Sequence, residues 1–443
     1  MTTIVDMIRS VPEAAVRLWC GKHADDLKVQ ETDDGIRITY EKRSSVFPFD
    51  VFKQAEEVAK ILSIRPRMLR SVQDVLEIRH DAEDIFTQMI FGRTEIPKVL
   101  FVPAGAAASG FYRAMIPSDL MRETGKVVAH FTMNLDLYKA VRYDILWIQL
   151  ITAPVLIEIV RKAKEQGLKI VYDIDDRLDA IPLENQAISV YGTPEKQTEI
   201  REMIGLADLV TVSTAPLANF IAKNYKVGGG AVRVLPNMMT ANVAPRRHPP
   251  NPAFTRILWA GSPTHKRDLA IVAPALQRVL QRRPGKVRFT CFGERLPEAL
   301  SGCYDWIDLQ DPVDFEAYHD KLAGIAADFA IAPLEENPFN ASKSAIKAIE
   351  YASAGYPMLL SPVGEYSAVV EAGLPAELVR DDEWEGALER MILKTREERD
   401  AIGKASIAWV CKNRCMGSTN ASAWADVVFD LTRKVKAKEG AVP

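Results

Sequence analysis

The chain has 443 residues, of which 48% are hydrophobic and 26% charged, with a formal net charge of -3. That content suits two or three packed domains and excludes a disordered or collagen-like chain. Near neutrality argues against a surface given over as a whole to nucleic acid or membrane, local patches aside.

In chain order, the first twenty residues carry Asp6 and Glu13 inside their apolar run and lack the uninterrupted core of a signal peptide. An initial helical pattern precedes a β-hairpin expected around Asp33-Asp34-Gly35, and helical patterns follow at 49–63 and 72–91. Residues 1–97 thus form an α+β module with no motif that carries chemistry, either an accessory recognition unit or a cap on the next domain. From Lys98 the rhythm becomes strand, loop, helix, with strands expected at VLFVPA, DILWIQL, KIVYDID and LVTVST. The apolar window 145–160 is broken by Gln149, Pro154 and Glu158 and reads as a strand and a helix, not a membrane span. Such alternation implies a parallel sheet covered on both faces, with ligands at the carboxyl ends of its strands. A Pro-rich run after Asn237 reads as a linker. A second alternation, RILWAGS, VRFTCFG, DFAIAPL and YPMLLSP, follows it, and the helical patterns 397–411 and 418–436 end the chain. The reading divides the chain into 1–97, 98–240, 241–410 and 411–443. Five cysteines, Cys20, Cys291, Cys303, Cys411 and Cys415, lack paired zinc spacing and read as reduced thiols of a cytoplasmic protein.

Chemistry concentrates in 338–357, PFNASKSAIKAIEYASAGYP. Asn340, Ser342, Lys343 and Ser344 gather where a helix is expected to begin, and free N–H groups with the positive dipole end suit a diphosphate. Lys343 and Lys347 share one helical face, and Glu350 lies a turn further on, placed to accept both hydroxyls of a ribose. After RILWA, the turn Gly261, Ser262, Pro263, Thr264, His265, Lys266, Arg267 allows close backbone approach to an anion. His265 is a candidate donor to the diphosphate. Between Arg233 and Arg295 basic residues far outnumber Asp268 and Glu294, a bias toward an anionic ligand, although Arg278 to Lys286 also read as a solvated helix face. In the first half, Gly110 and Arg113 follow the first strand, and Asp173, Asp175 and Asp176 end another. Three carboxylates so close suit Mg²⁺, a general base, or a plain helix cap. His130 reads as a structural histidine.

The 338–357 segment resembles the donor-binding run of retaining GT-B glycosyltransferases of the family 4 type: Glu, seven residues, Glu, then a small-residue turn ending in Gly-x-Pro. Glu350 to Pro357 matches the second half, and Ser342 stands where the first Glu belongs. Arg267 falls at a family lysine, Ser262 replaces the usual arginine, and Phe292 with Gly293 lies where family backbone groups meet the nucleobase. The resemblance, which covers roughly 98–436, implies an α/β GT-B fold of two Rossmann-like domains facing a cleft, the last helices bracing the first. It also implies a nucleoside-diphosphate sugar as donor with no metal or further cofactor required, Asp173, Asp175 and Asp176 at the reacting centre, and transfer with retention to an acceptor the sequence does not name: glycan, protein, small molecule or modified nucleic acid. A GT-B-shaped binding protein without transfer is the alternative.

Overall fold

The computed structural model describes three strands within 28–47 and residues 97–439, apart from 106–107, 124–126, 241–244, 246–249, 294–295 and 416–418. The expected helical patterns at 49–63 and 72–91, Cys20 and most of the proposed linker lie outside the described residues. The hairpin is present: β1 (Lys28–Thr32) pairs antiparallel with β2 (Gly35–Tyr40), with Thr32 opposite Gly35, and β3 (Arg43–Phe47) adds a third strand.

The rest is built on two six-stranded parallel sheets. The first contains β4 (Lys98–Val102), β5 (Val128–Phe131), β6 (Ile145–Gln149), β7 (Lys169–Ile174), β8 (Leu209–Val212) and β9 (Val232–Val234), in the order β5-β4-β6-β7-β8-β9. The second contains β10 (Thr255–Ala260), β11 (Val287–Phe292), β12 (Ile307–Gln310), β13 (Phe329–Ala332), β14 (Met358–Leu360) and β15 (Glu377–Leu378), in the order β12-β11-β10-β13-β14-β15. Runs such as Ile145–Gln149 and Phe329–Ala332 are buried throughout, because helices cover both faces of a parallel sheet. In each sheet the strand order reverses beside the first strand, between β4 and β6 and between β10 and β13. Loops at such switch points diverge to opposite faces and leave a crevice for a ligand.

Eight helices matter below: α1 (Ile116–Glu123), α2 (Pro154–Glu165), α3 (Lys266–Arg282), α4 (Phe315–Gly324), α5 (Ile346–Ser353), α6 (Trp384–Leu393), α7 (Arg396–Asn413) and α8 (Thr419–Glu439). The window at 145–160 resolves, as expected, into β6 and α2. A capping box starts α7, the Thr395 hydroxyl accepting from the Glu398 N–H and the Glu398 carboxylate from the Thr395 N–H. The last helix returns to the first sheet, where Trp424 stacks on Trp147 at 5.5 Å and Arg233 pairs with Asp430. A single apolar cluster joins residues of both halves, including Phe101, Trp147, Leu258, Phe292, Ile349 and Trp424. No described helix is long and apolar enough to cross a membrane.

The basic bias of the second half is resolved internally. Arg278 and Arg282 of α3 pair with Glu385 of α6, Arg283 pairs with Glu389, and Arg256 and Arg288 meet Asp308. These arginines therefore neither face solvent unpaired nor wait for an anion; their partners lie beyond the stretch of sequence in which the imbalance was counted.

Candidate functional site

A cleft of about 330 Å³ opens between the carboxyl ends of the two sheets, walled by Pro182, Glu184 and Asn185 on one side and by Thr264, Lys266, Arg267, Asp268, Glu335, Asn340 and Lys343 on the other. The turn that brings Thr264 to Arg267 to this wall begins at Gly261, directly after β10. A Cβ on Gly261 would stand 2.6 Å from the Trp259 ring and 2.8 Å from the Lys347 ammonium, so only glycine lets Lys347 pack this close. Lys347 donates to the Ala260 carbonyl at 2.8 Å and lies 4.8 Å over Trp259. Burial pushes its ammonium down to about 8.

Asp268 is the hub of this wall. One of its oxygens accepts from the Glu335 N–H at 2.9 Å and from Asn340 Nδ2 at 3.1 Å, and the other meets His265 Nδ1 at 2.7 Å. Burial is the largest influence on the Asp268 carboxyl and works to raise it, but His265, the Glu335 N–H and the Lys347 charge together outweigh it and the group stays below its ordinary range. Burial, then the Lys347 charge, pushes His265 down to about 4. At neutral pH the imidazole is therefore uncharged, its one proton is on Nδ1 facing a carboxylate that can only accept, and Nε2 presents a lone pair. That is the wrong polarity for the expected donor bond to a diphosphate. That tautomer leaves Nε2 able to accept a bond from a hydroxyl.

The expected helix start moves. Asn340–Ser342 form a short 3₁₀ turn, Lys343 is extended, and α5 begins only after Ala345. Its first amide is already occupied, because the Ala345 N–H donates to Glu365 at 2.8 Å, and Glu365 is fixed by Arg414. The polar run 342–344 instead bonds across the cleft. Thr214 donates to the Ser342 carbonyl at 2.8 Å, Asn237 Nδ2 to the Ser344 hydroxyl at 2.9 Å, and Lys343 Nζ stands 3.6 Å from Asp176. Lys343 also rests 4.5 Å above the Phe339 ring. Arg267 is bridged by Glu184 and Glu335, whereas exposed Lys266 has no partner among the described residues and Ser262 bonds to Thr264.

The three aspartates at the end of β7 separate into different environments. Asp173 is fully buried, held by Arg113 through both carboxylate oxygens at 2.9 and 2.6 Å and by Thr211 at 2.6 Å. Arg113 further donates to the Leu235 carbonyl and to Asn237, and lies 4.8 Å from the Trp424 ring. Neither group is open to a ligand. Gly110 has its own internal reason, since a Cβ would meet the Gly105 carbonyl at 2.0 Å. Asp175 differs: its Oδ1 is shut off from solvent and has no hydrogen-bond partner among the described residues. Burial, then Asp176 and Asp173, raises it to about 7. No cluster of three His, Cys, Asp or Glu side chains among the described residues is arranged to hold a metal ion.

Glu350 sits apart from the open cleft. Tyr112 donates to one carboxylate oxygen at 2.7 Å and Tyr318 to the other at 3.1 Å, and burial raises the carboxyl. Phe292 stacks on Tyr318, and Gly293, at φ +92°, gives its N–H to Gln310. His130 Nδ1 lies 3.0 Å from the Tyr143 hydroxyl, inside the first half.

Two solved structures share this architecture. A glycosyltransferase from Rickettsia africae ESF-5 aligns at a TM-score of 0.54 over 76% of this chain and 99% of that one, at 14% identity. Anabaena Alr3699/HepE in complex with UDP-glucose aligns at 0.53 over 75% and 100%, also at 14% identity. The fold is GT-B. Against the longer TarM structure the match spans 65% of this chain and only 54% of that one, at a TM-score of 0.45 and 11% identity, too loose to carry an argument. No protein-family model and no curated protein matches the chain.

The sequence missed Asp268 as a hub, although its position three residues after His265 at the start of a helix was a legible signal. Tyr112 and Thr214 lie in the strand-end stretches 104–113 and 213–216, where ligands were expected to gather, but their own roles, like that of Glu184, arise only when the two halves meet.

Proposed function

We propose that this chain is a glycosyltransferase that moves a sugar from a nucleoside diphosphate to an acceptor with retention of anomeric configuration, as a family 4 type enzyme. The observation that carries the reading is the Lys343–Asp176 approach at 3.6 Å: it brings a cationic loop of the second sheet and an acidic strand end of the first to one cleft. The relatives sharing the fold include one with UDP-glucose bound, which favours a nucleoside-diphosphate sugar as donor.

In this reading, breaking the glycosidic C–O bond moves negative charge onto the diphosphate, and cations already in place stabilise that charge with little reorganisation. Lys266 supplies one directly, and Lys343 and Arg267 join on loosening their pairs with Asp176 and with Glu184 and Glu335. His265 Nε2 accepts from a sugar hydroxyl, and Asp268 fixes its tautomer. Asp175, poised near neutrality, takes or holds the acceptor's proton. Glu350 receives the ribose hydroxyls. No step calls for a protein nucleophile. The domain limits 1–97, 98–240, 241–410 and 411–443 belong to the same proposal.

A second reading, a nucleotide-binding protein without transfer, draws on Ser342 and on the occupied Glu350. Incubation with UDP-, GDP- and ADP-sugars separates the two. Release of free nucleoside diphosphate from one donor supports transfer, binding without release supports the second reading, and no binding removes both.

A further inference from the structure

The nucleoside half of the proposed donor site is filled by the protein itself. Tyr112, from the first half, reaches Glu350 at 2.7 Å and the His319 ring nitrogen at 2.7 Å. Phe111 beside it packs edge-on against Phe315 at 4.8 Å, and Phe315, Tyr318 and Phe292 form a ladder of nearly parallel rings at 5.7 and 5.5 Å. Glu350 is buried, and the Tyr112 hydroxyl already stands on the carboxylate oxygen that a ribose hydroxyl would seek.

The segment carrying the two rings is unusual. Phe111–Met115 is a π-helical turn between Ala108–Gly110 and α1. A π turn holds one residue more than an α turn, is rare, and is found mostly as single turns at functional sites. Conversion to α-helix would rotate residues on one side of it by roughly 100° relative to the other, since an α-helix turns once in about 3.6 residues. Arg113, within the same turn, is fastened to Asp173 and Asn237, so a change of turn falls on Phe111 and Tyr112.

From this geometry we infer that the Phe111–Tyr112 turn is an autoinhibitory plug: its tyrosine hydroxyl stands in for a ribose hydroxyl on Glu350 and must leave before a nucleoside diphosphate is bound. The inference rests on the proposed donor site at Glu350. A plug lowers apparent affinity by the fraction of molecules that are open, so weakening it tightens binding.

The test uses the full chain, with UDP, GDP and ADP as probes in calorimetry, on wild type, Tyr112→Phe and Glu350→Gln. The tyrosine variant keeps the ring and loses only the hydroxyl. The plug requires that it bind the preferred nucleotide at least threefold tighter than wild type, while the Glu350 variant binds more weakly. It also requires that amide exchange across 108–123 quicken in wild type when nucleotide is added. Equal or weaker binding by Tyr112→Phe overturns the plug and makes Tyr112 a support for Glu350; slowed or unchanged exchange in nucleotide-bound wild type overturns it independently. Both outcomes leave the donor site standing. Silence from wild type and Tyr112→Phe alike, with folding confirmed by thermal unfolding, removes the donor site and the plug together.

Discussion

Asp268 offers the sharpest test of how the cleft wall is built. Its side chain is 5% exposed and accepts from the Glu335 N–H, Asn340 Nδ2 and His265 Nδ1. Asp268→Ala leaves three donors facing a small void, and the loss of a buried, multiply bonded carboxylate is expected to cost about 3–5 kcal/mol. Asp268→Asn is milder. One amide oxygen still accepts from Glu335 and Asn340, but the amide nitrogen now faces His265, which must move its proton to Nε2 so that Nδ1 can accept. A charge-assisted bond becomes a neutral one, at an expected cost of about 1–2 kcal/mol. Urea unfolding, with each transition fitted separately because two halves need not melt as one, gives the stability change. Nitrogen-detected NMR of the histidines gives the tautomer: Nδ1–H in wild type, Nε2–H in Asp268→Asn. An Asp268→Ala protein within 0.5 kcal/mol of wild type, or a wild-type His265 already protonated on Nε2, would refute the hub.

The remaining predictions concern charge. His265, held at about 4 against an ordinary 6.5, binds its proton more readily when unfolded, so its contribution is whole above pH 6.5 and fades as pH falls toward 4. Asp175 runs the other way. Raised from 3.8 to about 7, it contributes stability below pH 3.8 that is lost as pH rises through 7, so Asp175→Asn is expected to melt higher than wild type at pH 8 and equally at pH 4. The same variant should impair transfer more than donor binding; equal loss of both, or of neither, removes Asp175 from the chemistry. Lys343→Ala is expected to weaken nucleoside-diphosphate binding by about 1.5–3 kcal/mol, and the exposed Lys266→Ala by less and with stronger salt dependence, both read by calorimetry. Arg113→Met leaves Asp173 charged and unpaired in the core, an expected loss of about 3–5 kcal/mol with no direct effect on nucleotide contacts. A melting temperature within a degree of wild type would contradict it.

Much of the fold was legible in the sequence because buried parallel strands announce themselves as short apolar runs ending in Gly, Pro or Ser, and β4, β8, β10 and β13 each do so. The Asp33-Asp34-Gly35 hairpin was readable from its turn residues. The start of α5 was not. Ser342, Lys343 and Ser344 look like a helix cap, yet the two serines hydrogen-bond to Thr214 and Asn237 and the lysine pairs with Asp176, groups more than a hundred residues distant. The same reason hid the fate of Arg113 and Asp173, whose types and strand-end positions suit a ligand equally well. Each is consumed by the other across sixty residues. Composition misled in one place: the excess of arginine in the second half is answered by Glu385 and Glu389, outside the window in which charge was counted.

The 340–344 loop also bears on how this protein can be recombined. Its backbone carbonyl at Ser342, its hydroxyl at Ser344 and its ammonium at Lys343 each meet a residue from the loops of the first half. A hybrid that joined residues 98–240 of this chain to the second half of a distant GT-B protein would bring Thr214, Asn237 and Asp176 to a loop not shaped to meet them. The two halves are thus one heritable unit at the cleft, and swaps meant to change donor choice should carry these six positions together.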